Sequence, residues 1–245
     1  TGQDMVGPVT ENPEPATSIT LEQNKRFILK GTSSNSNPAE QCNTYVQTAA
    51  EGNYEPTGMT EAQDDKTIFF GQMHGAACAK STIVFDLNSV LDKLDDNNIS
   101  SITLNFISLN TGTGGAGDNY GCGDLRLPLR SGSNQYRCHD PDTLKAELKY
   151  HLSENANCAA SNKELFESQE GWTDVTSWSY TSPDSTQETS ADISQIKDDI
   201  DSSSNRYLCV SFTDEVNTSG DNAPQENYRL HALGNIEIKF NFVLK

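Results

Sequence analysis

Basic residues are scarce and long apolar runs are absent, and each absence excludes a class of function. The 245 residues include 17 Lys+Arg against 35 Asp+Glu, so the formal net charge is −18. Nucleic-acid binding needs clustered Lys and Arg against the phosphates, and this chain does not offer them. No apolar run approaches the roughly 18–20 residues with which a helix crosses a bilayer, so we expect no membrane span.

The spacings typical of catalytic sites are missing as well. No histidine stands in an HxxxH or HxH arrangement, and no serine lies in a GxSxG sequence. Residues 112–117 match GxGxxG, but the residues after them do not form the amphipathic helix that would hold a pyrophosphate. The sequence therefore predicts that the protein is not an enzyme and has no organic cofactor.

Cysteines are present, but never in the CxxC spacing of zinc ribbons or thioredoxin-like sites. An even number at wide spacing is typical of disulfides formed in an oxidising compartment, so we expect three disulfides. The sequence does not choose among the pairings, although Cys122 and Cys138 bracket one short apolar segment and are the pair we expect first. The cysteines are Cys42, Cys78, Cys122, Cys138, Cys158 and Cys209.

Two further features favour an extracellular protein. The chain opens at Thr1, without Met and without an apolar targeting segment, which predicts a mature secreted product. Asn98 and Asn217 begin N-glycosylation sequons and, in a eukaryotic secretory pathway, are predicted to be glycosylated surface positions.

The first 40 residues differ in composition from the rest. Residues 1–17 contain three prolines and almost no large apolar side chains, so they are predicted to form an arm. Residues 18–30 have strand-like spacing, as one long strand or as a hairpin turning at Gln23 and Asn24. Residues 31–38 are predicted to be a linker. We therefore divide the chain into an N-terminal arm, strand and linker (residues 1–40) and one folded domain (residues 41–245). The apolar side chains of the N-terminal strand are Ile19, Leu21, Phe27 and Leu29.

Short β-rich segments separated by turn residues fill the folded domain. In the last segment Ile236, Ile238, Phe240, Phe242 and Leu244 recur at every second position, which indicates a strand with one buried face. Strands dominate, so the sequence predicts an all-β fold. We expect an antiparallel β-sandwich of jelly-roll type, with a few short helices and an extended N-terminal strand. The other predicted strands cover residues 67–70, 82–87, 101–109, 174–180, 206–213 and 228–230.

Three short apolar stripes predict helices that interrupt the strands. One follows an N-cap and N1 proline at residues 140–141. The second stripe is short, and the last is predicted to be a single turn. The stripes are Leu144, Leu148 and Leu152; Ile193, Ile196 and Ile200; and Val90, Leu91 and Leu94.

Four segments, in order, resemble the disaggregatase-related (DNRLRE) domain family. They are residues 42–58, the strand pair at 80–87 and 99–106, the tryptophan-containing stretch at 171–183, and the helix and strand at 190–212. The resemblance covers roughly residues 41–245. It implies a secreted β-sandwich of the kind found in surface, matrix and polysaccharide-associated proteins, some of them grouped with carbohydrate-binding modules. No ligand motif matches position by position, so no binding residue is carried over.

A glycine-rich loop and a group of aromatic residues supply the candidate ligand-binding side chains. Asp118 and Asp124 could provide oxygen ligands to a structural Ca²⁺, although solvated loop carboxylates are the simpler interpretation. Trp172, Trp178 and Tyr180 are candidates for stacking on sugar rings, and the last two share a strand face. The alternative for the tryptophans is core packing, which their place in the family resemblance favours.

These observations lead to two hypotheses of function. The first is a secreted structural subunit that self-assembles into an extracellular filament or matrix. Its N-terminal strand would add to a neighbouring copy's sheet, with Ile19, Leu21, Phe27 and Leu29 as the inserted side chains. The alternative is a carbohydrate-binding module or lectin-like domain that recognises an extracellular polysaccharide.

Overall fold

A computed structural model describes residues 17–32, 44–45, 68–74, 77–108, 144–180, 187–214 and 230–245. Its strands are β1 (Ser18–Glu22), β2 (Lys25–Thr32), β3 (Thr44–Tyr45), β4 (Ile68–His74), β5 (Ala77–Asp86), β6 (Asn97–Ser108), β7 (Leu144–Ser153), β8 (Thr173–Tyr180), β9 (Gln187–Asp192), β10 (Tyr207–Asp214) and β11 (Leu230–Leu244). Its helices are α1 (Asn88–Leu91), α2 (Asn162–Glu167) and α3 (Lys197–Asp201), with a 3₁₀ turn at Ser194–Ile196.

The strands form one antiparallel sheet that folds over into two packed layers. The β5 layer has the order β8-β7-β10-β5-β2-β3, and the β11 layer has the order β1-β11-β6-β9. β4 joins them by pairing with β5 and with β11. The predicted all-β antiparallel sandwich with a few short helices is confirmed.

The main core lies between the two layers. Ile238 and Phe240 of β11 pack in one cluster with Leu208, Val210 and Phe212 of β10, and all five side chains are buried. Alternate residues of each strand face this core because successive side chains of a strand point to opposite faces. Burying one such side chain contributes about 1.5–3 kcal/mol, so this cluster is the main source of the fold's stability.

A second, smaller core covers the outer face of the β5 layer. There Phe27 and Leu29 of β2 pack with Leu165 and Phe166 of α2. Gly31 and Thr32, predicted to begin the linker, are instead the last two residues of β2. A Cβ atom on Gly31 would lie 2.0 Å from the ring of Phe166, so glycine lets the helix approach the strand.

One predicted helix is wrong: the segment of Leu144, Leu148 and Leu152 forms strand β7. A spacing of four residues fits both one face of a helix and one face of a strand. Ala146 and Tyr150 complete an unbroken alternation of apolar and polar residues, and Tyr150 is buried. The alternation over nine residues indicates the strand that forms, whereas the proline at position 141 had favoured the start of a helix.

The other two predicted helical stripes are confirmed. Val90 is buried in α1, a single turn, and Ile196 and Ile200 are buried in the 3₁₀ turn and α3. Helix α2 was not predicted; it begins where the Ser161 side chain accepts a hydrogen bond from the backbone N–H of Glu164. That pairing follows the capping-box pattern. In the described part of the chain, no helix has the length and apolarity to cross a membrane.

Candidate functional site

Strand β1 closes one edge of the β11 layer. It pairs antiparallel with β11 at five positions, from Ser18 opposite Asn241 to Glu22 opposite Glu237. The backbone N–H of Phe242 donates to the carbonyl oxygen of Thr17 at 2.9 Å, which extends the contact by one residue. Among the described strands, β1 pairs with β11 alone, so one edge contact provides all of its sheet pairing there.

The two faces of β1 differ in burial. Ile19 and Leu21 are half-buried against the main core, while Ser18, Thr20 and Glu22 are exposed. The strand therefore contributes two apolar side chains to the sandwich and a row of polar side chains to its surface. This alternation matches an added strand that fills a groove at a sheet edge.

The chain changes layers immediately after β1. Gln23 and Asn24 separate β1, which pairs with β11, from β2, which pairs with β5. The Asn24 backbone N–H donates to the carbonyl oxygen of Val84 at 2.8 Å, so the crossing is anchored on the β5 side. The break occurs where the hairpin alternative placed it, but the two strands pair with different neighbours and form neither a hairpin nor one strand.

The four apolar side chains of the N-terminal segment consequently divide between the two cores. Ile19 and Leu21 contact the main core, whereas Phe27 and Leu29 are buried in the second core. β2 pairs with β5 at eight positions, from Lys25 to Thr32. β2 is thus an integral part of the β5 layer. β1, in contrast, is held in the sheet by a single edge contact with β11.

A disulfide and a buried lysine fix the helix that covers β2. Cys158 is bonded to Cys209 of β10, with a Cα–Cα distance of 6.1 Å, so one of the three expected disulfides is identified, in a pairing that the sequence left open. Lys80 Nζ donates to the carbonyl oxygen of Phe166 at 2.9 Å and lies 4.7 Å from the centre of its ring. Burial, reinforced by the positive charge of Lys149, lowers the pKa of Lys80 to about 8. These contacts hold α2 against the β5 layer.

Trp172 lies beside this second core. Its side chain is half-buried and packs against the core cluster, and its ring stacks on His151 with 5.5 Å between ring centres. Part of the ring surface that a sugar would need is therefore taken up by protein contacts. The side chains of Trp178 and Tyr180, which complete the predicted sugar-stacking group, lie outside the described part of the structure.

A polar cleft of about 540 Å³ lies over β6, with β11 on one side and β9 on the other. Asn105 Nδ2 donates to Glu237 Oε1 at 3.3 Å, and Glu188 and Ser190 line the opposite side. Asn235 also lines the cleft, at a register shift of β11 where its φ is +48°. Carboxylate, amide and hydroxyl groups of this kind form hydrogen bonds with a hydroxyl-bearing ligand.

One predicted glycosylation site lies within the described ranges, and several other predicted site residues do not. Asn98 is exposed near the start of β6. In the described part of the chain, no three His, Cys, Asp or Glu side chains form a group that could hold a metal ion. The predictions for Cys42, Cys122, Cys138, Asp118, Asp124 and Asn217 concern residues outside the described ranges, and Cys78 lies in β5 with its side chain not among those described.

Comparison with models of known protein families gives no match, and comparison with curated proteins gives none either. The resemblance to the DNRLRE domain family stays a prediction.

Proposed function

We propose that this chain is a secreted structural subunit that self-assembles into an extracellular filament or matrix by passing β1 to a neighbouring copy. The observation that supports the proposal is the single-edge attachment of β1 to β11, with Ile19 and Leu21 as its two inserted side chains. The same edge of another copy offers identical pairing partners. A donated β1 therefore makes every contact that it makes within its own chain.

The energetics permit such an exchange. Two half-buried aliphatic side chains contribute about 2 kcal/mol, and each backbone hydrogen bond adds about 0.5–1.5 kcal/mol. Opening this one edge costs less than opening a strand that has neighbours on both sides, such as β10. Because β1 forms the same hydrogen bonds and packing in either chain, protein concentration and the conformation of Gln23 and Asn24 decide which form prevails.

The direction of donation determines the product. If two copies exchange β1 reciprocally, the contact is isologous and closes into a dimer. If each copy donates to the next, the contact is heterologous and extends into a chain of subunits. We propose the second arrangement for the filament or matrix.

Cross-linking between two different variants tests the donation. Thr20 and Lys239 lie opposite each other, and both are exposed. Residues directly opposite in an antiparallel pair have Cα atoms ~4.5–5.5 Å apart, which suits a disulfide. Thr20→Cys chains are mixed with Lys239→Cys chains at high concentration, oxidised, and separated on a non-reducing gel, and a disulfide-linked pair of chains is expected.

Two matched samples make the result decisive. Mixing Thr20→Cys with Glu188→Cys, which is exposed on β9, gives the background from random collisions. A chain carrying both Thr20→Cys and Lys239→Cys shows whether the bond forms within one molecule. Closure within the doubly substituted chain, together with only background linkage in the mixture, would overturn the proposal.

The polar cleft supports a second candidate function, recognition of an extracellular polysaccharide. Its amide, carboxylate and hydroxyl groups suit the hydroxyls of a neutral sugar, and Glu188 and Glu237 would repel an anionic one. Retention on polysaccharide columns that is lost in Asn105→Ala but kept in the exposed-site variant Lys163→Ala would support this function. Equal retention of both variants would reject the cleft as its site.

A further inference from the structure

An exposed apolar patch lies at the C-terminal end of β11. Among the described residues, the large apolar side chains that are exposed are Val243 and Leu244, at 50% and 61%. The outward-facing neighbours along the same strand are polar, namely Glu237, Lys239 and Asn241. Val243 therefore interrupts an otherwise polar outward face, whereas Leu244, the next residue, lies on the other face of the strand.

The strand end that carries the patch is held in place. The backbone N–H of Lys245 donates to the carbonyl oxygen of Asp96 at 3.1 Å, and Lys245 Nζ contacts the carbonyl oxygen of Asp95 at 3.3 Å. β11 pairs with β6 up to Leu244, which lies opposite Asn97. The exposure of Val243 and Leu244 is thus a feature of the paired strand.

The cross-strand neighbour of Val243 is Asn98, the first residue of a glycosylation sequon. Directly opposite residues of an antiparallel pair point to the same face, with Cβ atoms ~4.5–5.5 Å apart. Asn98 and Ser100 are exposed, while Ile99 between them is buried, so the acceptor amide and the sequon hydroxyl both lie on the surface.

We propose that Asn98 carries an N-linked glycan whose first sugar rings cover Val243. The apolar C–H face of a pyranose ring can pack on an aliphatic side chain and remove it from water. The glycan would leave the assembly edge free, because β6 pairs with one edge of β11 and β1 pairs with the other. This inference rests on the secretion that the proposed function includes, but not on strand donation.

The chemistry of attachment is a glycosyl transfer from a polyprenyl-pyrophosphate-linked oligosaccharide. The Asn98 side-chain nitrogen forms a bond to C1 of the first sugar and loses one proton. The bond between C1 and the pyrophosphate oxygen breaks, and the lipid pyrophosphate leaves. No oxidant or reductant is needed, and a secretory glycosyltransferase supplies the catalyst.

The first test is glycopeptide mass spectrometry of the full chain from its native source, before and after enzymatic removal of N-glycans. We expect the peptide that contains Asn98 to carry the glycan mass and to lose it on treatment. In a secreting eukaryotic host, Ser100→Ala is expected to remove the modification, while the neighbouring Ser101→Ala retains it. An unmodified Asn98 in native protein would overturn the proposal.

The second test asks whether the glycan covers Val243. Binding of an apolar fluorescent dye is compared for the glycosylated chain and the Ser100→Ala chain, and we expect higher binding without the glycan. Adding Val243→Ser to Ser100→Ala should abolish the increase, whereas adding Leu244→Ser, on the other face of the strand, should not. Equal dye binding with and without the glycan would refute coverage. Failure of strand donation would instead show as absent Thr20–Lys239 linkage between copies, so the two proposals fail separately.

Discussion

Ile19 lies directly opposite Phe240 in the register of β1 and β11, and both side chains contact the main core. Phe240 is fully buried, whereas Ile19 is half-buried at the edge of the same cluster. The N-terminal strand therefore completes the core without being enclosed by it. This relationship makes β1 both a stabilising element and the part of the chain best suited to exchange.

Substitution of Ile19 tests how much β1 contributes to the core. We expect Ile19→Ser to lower the free energy of unfolding by about 1–2 kcal/mol, because a half-buried aliphatic side chain is lost. Urea denaturation measures the change. The neighbouring outward-facing substitution Thr20→Ser should stay within about 0.5 kcal/mol. Equal effects of the two substitutions would show that β1 does not pack as described.

Lengthening the crossing between layers is expected to suppress assembly. Four Gly/Ser residues inserted between Gln23 and Asn24 would let β1 reach its own β11 edge more easily, because short connections promote strand exchange. Size-exclusion chromatography with light scattering should then show a larger monomer fraction at each concentration. The same insertion between Ser203 and Ser204, in the turn before β10, controls for a general effect of added residues. Unchanged or increased assembly of the Gln23–Asn24 variant would contradict the mechanism.

The disulfide that fastens the second core should contribute substantially to stability. Cys158 and Cys209 are 51 residues apart. A cross-link over such a loop restricts the unfolded chain and raises its free energy by about 2–4 kcal/mol. We expect the double substitution Cys158→Ala and Cys209→Ala to lower the free energy of unfolding by that amount, measured by urea denaturation. A loss below about 0.5 kcal/mol would indicate that this bond constrains little.

The lowered pKa of Lys80 leads us to expect a specific dependence of stability on pH. Burial lowers the pKa of Lys80 from 10.5 to about 8, so between these values the unfolded chain binds the proton more tightly than the folded chain does. The contribution of Lys80 to the free energy of unfolding should therefore rise with pH across this window. Lys80→Met removes the contribution, so the free energy of unfolding of the wild type minus that of the variant should rise with pH across this window. Urea denaturation at a series of pH values measures it.

The exposed lysine Lys93 provides the control for the pH series. Lys93→Met is measured over the same interval, pH 8 to 10.5, and shows the general effect of replacing a lysine with methionine. A pH dependence of Lys80→Met no larger than that of Lys93→Met would contradict the assigned burial of the Lys80 ammonium group.

Alternation of apolar and polar residues made much of the fold predictable. In β11, Ile236, Ile238 and Phe240 alternate with polar residues, and the structure buries all three. In β7 the same signal was present, but leucines spaced by four residues also fit a helix. Local spacing alone did not resolve that ambiguity, and pairing with β8 and β10 stabilises the strand.

The division of the N-terminal segment between two layers could not be predicted from sequence. Ile19 and Phe27 look alike in the pattern, yet one meets the main core and the other meets α2. That difference depends on sheet partners far away in the chain, Phe240 for Ile19 and Thr82 for Phe27. The polar cleft escaped prediction for the same reason, because Asn105, Glu188 and Glu237 come together only through strand pairing.

The location of β2 also decides which variant is suited to an assembly experiment. Deleting residues 1–30 would remove Phe27 and Leu29 from the second core, so a loss of filaments would follow from misfolding as readily as from loss of the donor strand. A chain with β1 locked in place by Thr20→Cys and Lys239→Cys keeps both cores. Locking is done in dilute solution, where closure within one chain prevails.

Strand donation is tested most directly by negative-stain electron microscopy of the full chain beside this locked chain at the same high concentration. We predict filaments or a connected matrix from the full chain and compact single particles from the locked chain. Compact single particles from both would contradict assembly, and filaments from both would contradict β1 as the joint.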